Sequence, residues 1–440
     1  MLFTFLTLLI SNSYSQSGFG FYGDNKDKEQ IRFKLINNLI VIPLEINGKQ
    51  LSFILDTGVN KTILFNLSKT DSIGLKNIEG IKLRGLGSGR AIDALLSNNN
   101  RLKINDLISN NEPIYVILKS EFDLSSKMGT TIHGIIGYTL FKDLIVKINY
   151  RNKKIDFYNP KTFEYRKCKK CDVLPIKFYR KKPYVDAEIQ LDTVGKETTK
   201  VKMLIDSGGS DAVWLFENSK DNIVTPNRFF RDILGEGLSG TIYGNRSRIP
   251  AIKFGRHIIE KPTVSFLDSS STTNARDFKK RNGSLGSNVL KRFKIWVDYP
   301  NKKLTIRKNA SLAGGFNYNM SGLDIIYSGQ QLVKEAVREI ATDSYNNEVR
   351  GSNAFSFIEK YNYIFKRSYK INRVVEGSPA KKVGLLKGDI ILRLNGKNAY
   401  DYKMSDIINL FQSKDDRKIN ITIDRDGKKM KFQFRLKQRI

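Results

Sequence analysis

The chain runs to 440 residues at 40% hydrophobic content, enough for about two to four domains with packed cores. Its two histidines and two cysteines are too few for an ordinary zinc centre, so metal catalysis is not expected. The formal charge of +31 is spread along the chain rather than gathered into a basic, aromatic stripe, which argues against a nucleic-acid module, and no apolar run reaches the roughly eighteen residues of a membrane-spanning helix.

Leu2 to Ile10 forms a short apolar core, and Ser13 and Ser15 put small residues at the positions that precede a cut. Residues 1–15 therefore read as a secretion signal with Gln16 as the new N-terminus, although the usual basic n-region is missing. Export across a bacterial inner membrane would follow, to the periplasm, the outer membrane or the medium. The positive charge is read as composition, since Lys, Asn and Ile are abundant throughout, in preference to attraction to an anionic surface. Residues 16–30 are Gly-rich, then charged, and read as a mobile lead-in.

From Ile31 short apolar runs alternate with Asn, Gly and Lys, the pattern of an all-β chain. Phe33 to Ile36, Leu39 to Ile46 and Gln50 to Leu55 are successive strands, the last two joined at Asn47-Gly48, which tolerates positive φ. The third strand runs into Asp56-Thr57-Gly58. The same order returns near Val173: Leu174 to Phe178, Tyr184 to Leu191 and Thr199 to Ile205, the last running into Asp206-Ser207-Gly208. The two Asp residues lie 150 positions apart.

Other landmarks keep that register. Gly134-Ile135-Ile136-Gly137 and Gly283-Ser284-Leu285-Gly286 end 81 and 80 residues after their Asp, and the turns at Asn152 and Asn301 follow by 96 and 95. Such matched spacing marks a duplicated unit, one copy over 31–165 and the other over 172–308. Each copy also carries a Gly-rich stretch between its Asp and that element, Gly85 to Gly89 and Gly235 to Gly244, placed to act as lids over a cleft. Cys168 and Cys171, between the copies, could close as a small disulfide or bind nothing; the flanking residues lack the βαβ pattern of a redox motif.

A single Asp-Thr/Ser-Gly is weak evidence, because Asp at a turn often accepts from backbone amides. A matched pair with apolar lead-ins is a candidate dyad. Two carboxyls about 3 Å apart cannot both ionise, so they share one proton. The charged member can take a proton from a water between them while the neutral member donates to a scissile carbonyl. Gly58 and Gly208 let the backbone turn tightly, and the Thr57 and Ser207 hydroxyls can bond across the two-fold axis. Asp192-Thr193-Val194-Gly195 is out of register and reads as a hairpin, and His133 as structural.

On these residues, 31–308 resembles the pepsin/retropepsin clan of aspartic proteases, in particular bacterial single-chain forms with two retropepsin-like lobes. The resemblance implies catalytic Asp56 and Asp206, active-site loops completed by Thr57, Gly58, Ser207 and Gly208, and bracing of those loops by Ile135, Ile136, Gly137, Leu285 and Gly286. It implies a six-stranded floor under the cleft, an extended peptide or protein substrate, and no metal or organic cofactor. Both carboxylates come from one chain, so a monomer is expected. Ser284 departs from the apolar-apolar-Gly rule, and Val59 and Gly209 stand where Ala or Ser is usual. No Tyr occurs in 80–95, where the family often has one over the cleft; Tyr243 lies in the second stretch. A non-catalytic peptide-binding scaffold on the same fold is the rival reading.

Residues 309–345 read as a connector with a helix-like piece from Gln331 to Ile340, and 346–440 as a small α+β unit. Ser378 caps a short helix with Pro379 at its first position, Gly384 ends it, and Met404 to Gln412 is an amphipathic helix. The run from Ile371 to Leu436 is similar to PDZ domains of exported bacterial proteases. That similarity implies a groove between a strand and the Met404 helix, with Ile407, Ile408 and Phe411 as candidate lining, where a peptide or protein C-terminus adds as a strand. Tyr363-Ile364-Phe365 is the candidate carboxylate loop; a purely structural cap is the alternative.

Overall fold

The computed structural model describes residues 18–440 except 24–25, 68–71, 86–88, 90, 119–122, 193–194, 196, 239, 341–349, 352–353 and 356. The leader at 1–15 and Leu86, Gly87 and Ser88 of the first Gly-rich stretch thus lie outside the described residues. The chain forms two units. One takes the residues up to Asp123, Thr131–Asn317 and Arg439–Ile440; the other takes Leu124–Thr130 and Tyr318–Gln438.

The first unit is almost entirely β and contains the two copies of the repeat. Among the described residues, the first copy builds a nine-stranded sheet and the second a ten-stranded one. Strand alternation explains the local structure: in Leu39–Ile46, Leu44 and Ile46 are fully buried while Pro43 is exposed. Asn47 and Gly48 both take positive φ (48° and 91°) and turn the chain into Lys49–Leu55. Asn37-Asn38 and Arg180-Lys181, at matching places in the two copies, do the same.

A third sheet joins the copies. Its order is Asp172–Pro175, Lys303–Lys308, Phe293–Asp298, Ile145–Asn149, Lys154–Tyr158, Lys28–Arg32. The central pair is antiparallel, with Ile145 opposite Asp298 and Asn149 opposite Lys294, so the pseudo-two-fold axis passes between them. The matched turns at Lys153 and Lys302 (φ 52° and 53°) link each central strand to its outer neighbour. One continuous apolar core extends from Phe19 to Phe316 through both copies. Cys168 and Cys171 form a disulfide.

The second unit begins at Tyr318, earlier than the 346 expected from composition. Its six-stranded sheet runs Leu323–Ile340, Phe357–Val374, Ile390–Leu394, Lys418–Arg425, Lys428–Arg435, with Lys397–Asn398 beside Ile390–Leu394. Gln331 to Ile340 is strand, not helix, because it pairs residue for residue with Phe357 to Lys366. Helix propensity is a weak prior, and a partner rich in Tyr, Phe and Ile overrides it. The same pairing holds Tyr363, Ile364 and Phe365 in a regular strand opposite Lys334, Val333 and Leu332, so they form no carboxylate loop. The Ser378 hydroxyl accepts from Lys381 N–H at 3.3 Å and caps Pro379–Lys382. Asp389 holds Arg425 in a two-pronged ion pair, both contacts 2.7 Å.

Candidate active site

Lys49–Leu55 delivers Asp56, and Thr199–Asp206 delivers its counterpart. Each is braced by the glycine-ended element of its own copy. Gly134, Ile135 and Ile136 pair in parallel with Phe53, Ile54 and Leu55, and Gly283 to Gly286 pair in parallel with Met203 to Asp206. The Asp56 N–H donates to Ile136 O at 2.9 Å. Gly137 lies against the carbonyls of Asp56 and Val59, and Gly286 against those of Asp211 and Gly209, leaving no room for a β-carbon. Ser207 O accepts from the Ser287 hydroxyl at 2.8 Å.

The two loops lock together. Thr57 N–H donates to Ser207 Oγ and Ser207 N–H donates to Thr57 Oγ1, both at 3.0 Å. The hydroxyls in turn donate across the axis, Thr57 to Ile205 O at 2.7 Å and Ser207 to Leu55 O at 2.8 Å. Every polar atom of this buried crossing has a partner, so the loops sit in one arrangement.

The lock brings the carboxylates together. A β-carbon placed on Gly58 would lie 3.1 Å from Asp56 Oδ1 and 3.2 Å from Asp206 Oδ1, and Gly208 packs directly on the Asp56 carboxyl. This close approach requires glycine at 208, where a β-carbon would come within 2.2 Å of the Asp56 carboxyl, and leaves only a tight fit for a side chain at 58. Gly58 N–H donates to Asp56 Oδ1 at 2.7 Å. Burial, then the neighbouring Asp206, push Asp56 up to about 7, against the pull of the Gly58 amide. Burial also raises Asp206, opposed chiefly by Arg281 and then Lys182. Such a pair holds one proton over a wide pH range and titrates as a unit.

Three neighbours of the pair were not evident in the sequence. Arg281 is buried, donates to Gly283 O at 3.2 Å and Ser284 Oγ at 2.7 Å, and lies 4.8 Å from the Phe216 ring centre. That bond accounts for Ser284, the departure from the apolar rule: it partners a buried guanidinium. Lys182 opens the strand beside Thr199–Asp206. Tyr299, on the turn of the joining sheet, donates to Thr57 O at 3.3 Å. The usable signal for Ser284 was the broken pattern itself.

His133 has a backbone role: its Nδ1 accepts from Ser52 N–H at 3.1 Å, and Asn282 does the same for Lys202 in the second copy at 2.8 Å. Asp192 caps its own hairpin by accepting from Gly195 N–H at 2.7 Å. Of the two lid stretches, the second is the hairpin of Phe230–Gly237 and Gly240–Arg248. A β-carbon on Gly85 would meet Leu238 Cβ at 2.7 Å, so the two stretches touch. At the hairpin's root Arg246 bridges Asp232 (2.6 Å) and Asp211 (3.1 Å). Tyr243 is 41% exposed, with Arg231 over its ring.

Residues 42–140 match the aspartyl protease family and residues 370–425 match the PDZ domain family. The chain carries an aspartyl protease domain and a PDZ domain. The family match covers Asp56 and the Gly134–Ile136 brace, and the second lobe repeats that arrangement. Among solved structures, an aspartic proteinase from Irpex lacteus is similar at 13% identity and a TM-score of 0.44, over 65% of this chain and 99% of that one. No curated protein matches the chain.

In the PDZ domain, Leu323–Ile340 and Lys428–Arg435 lie at the two edges of the sheet. In the Met404–Phe411 helix Ile407 and Phe411 are buried, 0% and 1% exposed, with Leu124–Met128 in place, and Ile408 is half-buried. Met404, also buried, lies on the same face one turn before Ile408. A short helix, Leu124–Met128, packs on both the Leu323–Ile340 edge strand and the Met404 helix, with Gly129 against Met404 Cβ. The domain's own segment therefore occupies the place an added strand would take. Among the described residues no helix is long and apolar enough to cross a membrane.

Proposed function

We propose that the protein is an exported aspartic endopeptidase. Asp56 and Asp206 hold one shared proton and a water; the charged carboxylate draws a proton from that water as it attacks the amide carbon, and the neutral one donates to the carbonyl oxygen. The observation that carries this reading is the reciprocal Thr57–Ser207 lock, which sets both carboxylates on one glycine-lined floor. The substrate is an extended peptide or protein segment lying under the touching lids, and the PDZ domain recognises a peptide or protein C-terminus once its groove is vacated. Both carboxylates come from one chain, which supports action as a monomer. The apolar leader before Gln16 and the Cys168–Cys171 disulfide support export to the periplasm, the outer membrane or the medium.

Digestion of a peptide library with mass-spectrometric readout from pH 3 to 8 tests the reading. Cleavage by the wild type, abolished in Asp56→Asn and in Asp206→Asn, is the expected result. Equal inertness of all three across that range favours the scaffold reading.

A further inference from the structure

The two lobes differ where they meet the dyad. Extending the ladder in which Val41 faces Ile54 sets Leu39 beside Asp56. The same extension from Tyr184 opposite Leu204 sets Lys182 beside Asp206. Two residues before Gly134 and Gly283, lobe one has the fully buried Ile132 and lobe two the buried Arg281. Ile135 of lobe one corresponds to Ser284, which accepts from Arg281 at 2.7 Å. Three apolar positions of lobe one thus answer to two cations and the hydroxyl partner of Arg281 in lobe two.

We propose that Arg281 is the positioning residue that fixes the charge of the carboxylate pair on Asp206 and leaves the shared proton on Asp56. The physical reason is charge placement in a poorly solvated site. A cation a few ångströms from one of two otherwise equivalent carboxyls favours ionisation of that one, and its charge holds the proton on the other. Arg281 cannot hand its charge away, and its bonds to Gly283 and Ser284 anchor it in lobe two. Lys182 faces both carboxyls and favours ionisation of the pair without choosing between them, and the remaining charged and titratable neighbours do not cancel the asymmetry set by Arg281. Tyr184 is neutral and bonds Arg281, Arg180 adds a further positive charge near Lys182, and Tyr299 is neutral beside Asp56. Asp206 becomes the group that takes the proton from water, and Asp56 the one that donates to the carbonyl.

This inference rests on the endopeptidase reading for its chemistry, though not for its test. Lys182→Leu and the double change Arg281→Ile/Ser284→Ile install the residues lobe one already packs at the same register. In full-length protein labelled with 13C at Asp carboxyls, NMR titration reads the dyad without substrate. The first ionisation of the pair is expected about one pH unit or more higher in each variant. Asp206 in Asp56→Asn is expected to titrate below Asp56 in Asp206→Asn. In folded protein, an unmoved first ionisation or the reverse order overturns the proposal. With a cleaved peptide, the acid limb of kcat/KM is expected to rise by the same amount, a shift a merely structural role would not produce; a limb left in place also overturns it. Absence of cleavage by the wild type counts against the endopeptidase reading alone.

Discussion

Thr57 and Ser207 each hold the other's backbone N–H at 3.0 Å, although they lie 150 residues apart in the chain. No other feature does as much to make two separate loops into one site.

Removing one hydroxyl should therefore cost more than one hydrogen bond. Thr57→Val leaves the Ser207 N–H and the Ile205 carbonyl buried without partners, each worth about 1–3 kcal/mol. Urea denaturation should show that loss for Thr57→Val and for Ser207→Ala, and little for Thr57→Ser. The double variant should lose less than the two single losses combined, because both act on one network.

Asp56 also predicts a pH dependence of stability. Its carboxyl is raised from the usual 3.8 to about 7, so between those values the folded state binds more protons than the unfolded one. Stability contributed by this group is full below about pH 4 and is lost as pH rises through about 7. Asp56→Asn should melt higher than wild type at pH 8, by on the order of 2–4 kcal/mol, with the gap closing near pH 4. Cleavage should fall as pH passes about 7, where the shared proton is lost.

Gly85 and Leu238 predict how the lids behave. A side chain at Gly85 would collide with Leu238. Gly85→Val should part the two stretches and raise KM several-fold while leaving the thermal midpoint within a few degrees of wild type, since loop contacts contribute little to global stability. Leu238→Gly in the same background should recover the lost KM, which steady-state kinetics on one peptide would show.

In the PDZ domain, Leu124–Met128 covers the groove formed by the edge strand and the Met404 helix. Affinity for an added strand is reduced by the fraction of time that segment is in place. Replacing Leu124–Thr130 with a Gly-Ser linker in the full chain should tighten binding of fluorescent C-terminal peptides, on the order of tenfold, by anisotropy. Ile408→Lys should weaken it, whereas Ile407→Ala should mainly destabilise the domain, its side chain being wholly buried.

Much of this protein is legible in the sequence because the signals are local. The alternation in Leu39–Ile46, the Asn47-Gly48 turn and the repeated Asn-Lys-Lys turns all depend on neighbours a few residues away. So does the presence of Asp-Thr-Gly and Asp-Ser-Gly after apolar strands, and their register identified a duplication. Gln331 to Ile340 shows where this stops: taken alone it has helical composition, and only its pairing partner decides that it is strand.

The sequence by itself determined the β character of the chain, its doubled plan and the identity of the acidic pair. Tertiary structure alone decided that the carboxylates face one another, that a buried Arg favours one of them, and that a short helix packs on an edge strand and the Met404 helix of the PDZ domain. The reason is that buried electrostatics depend on distances between residues far apart in the chain, and those distances exist only once the sheets have closed.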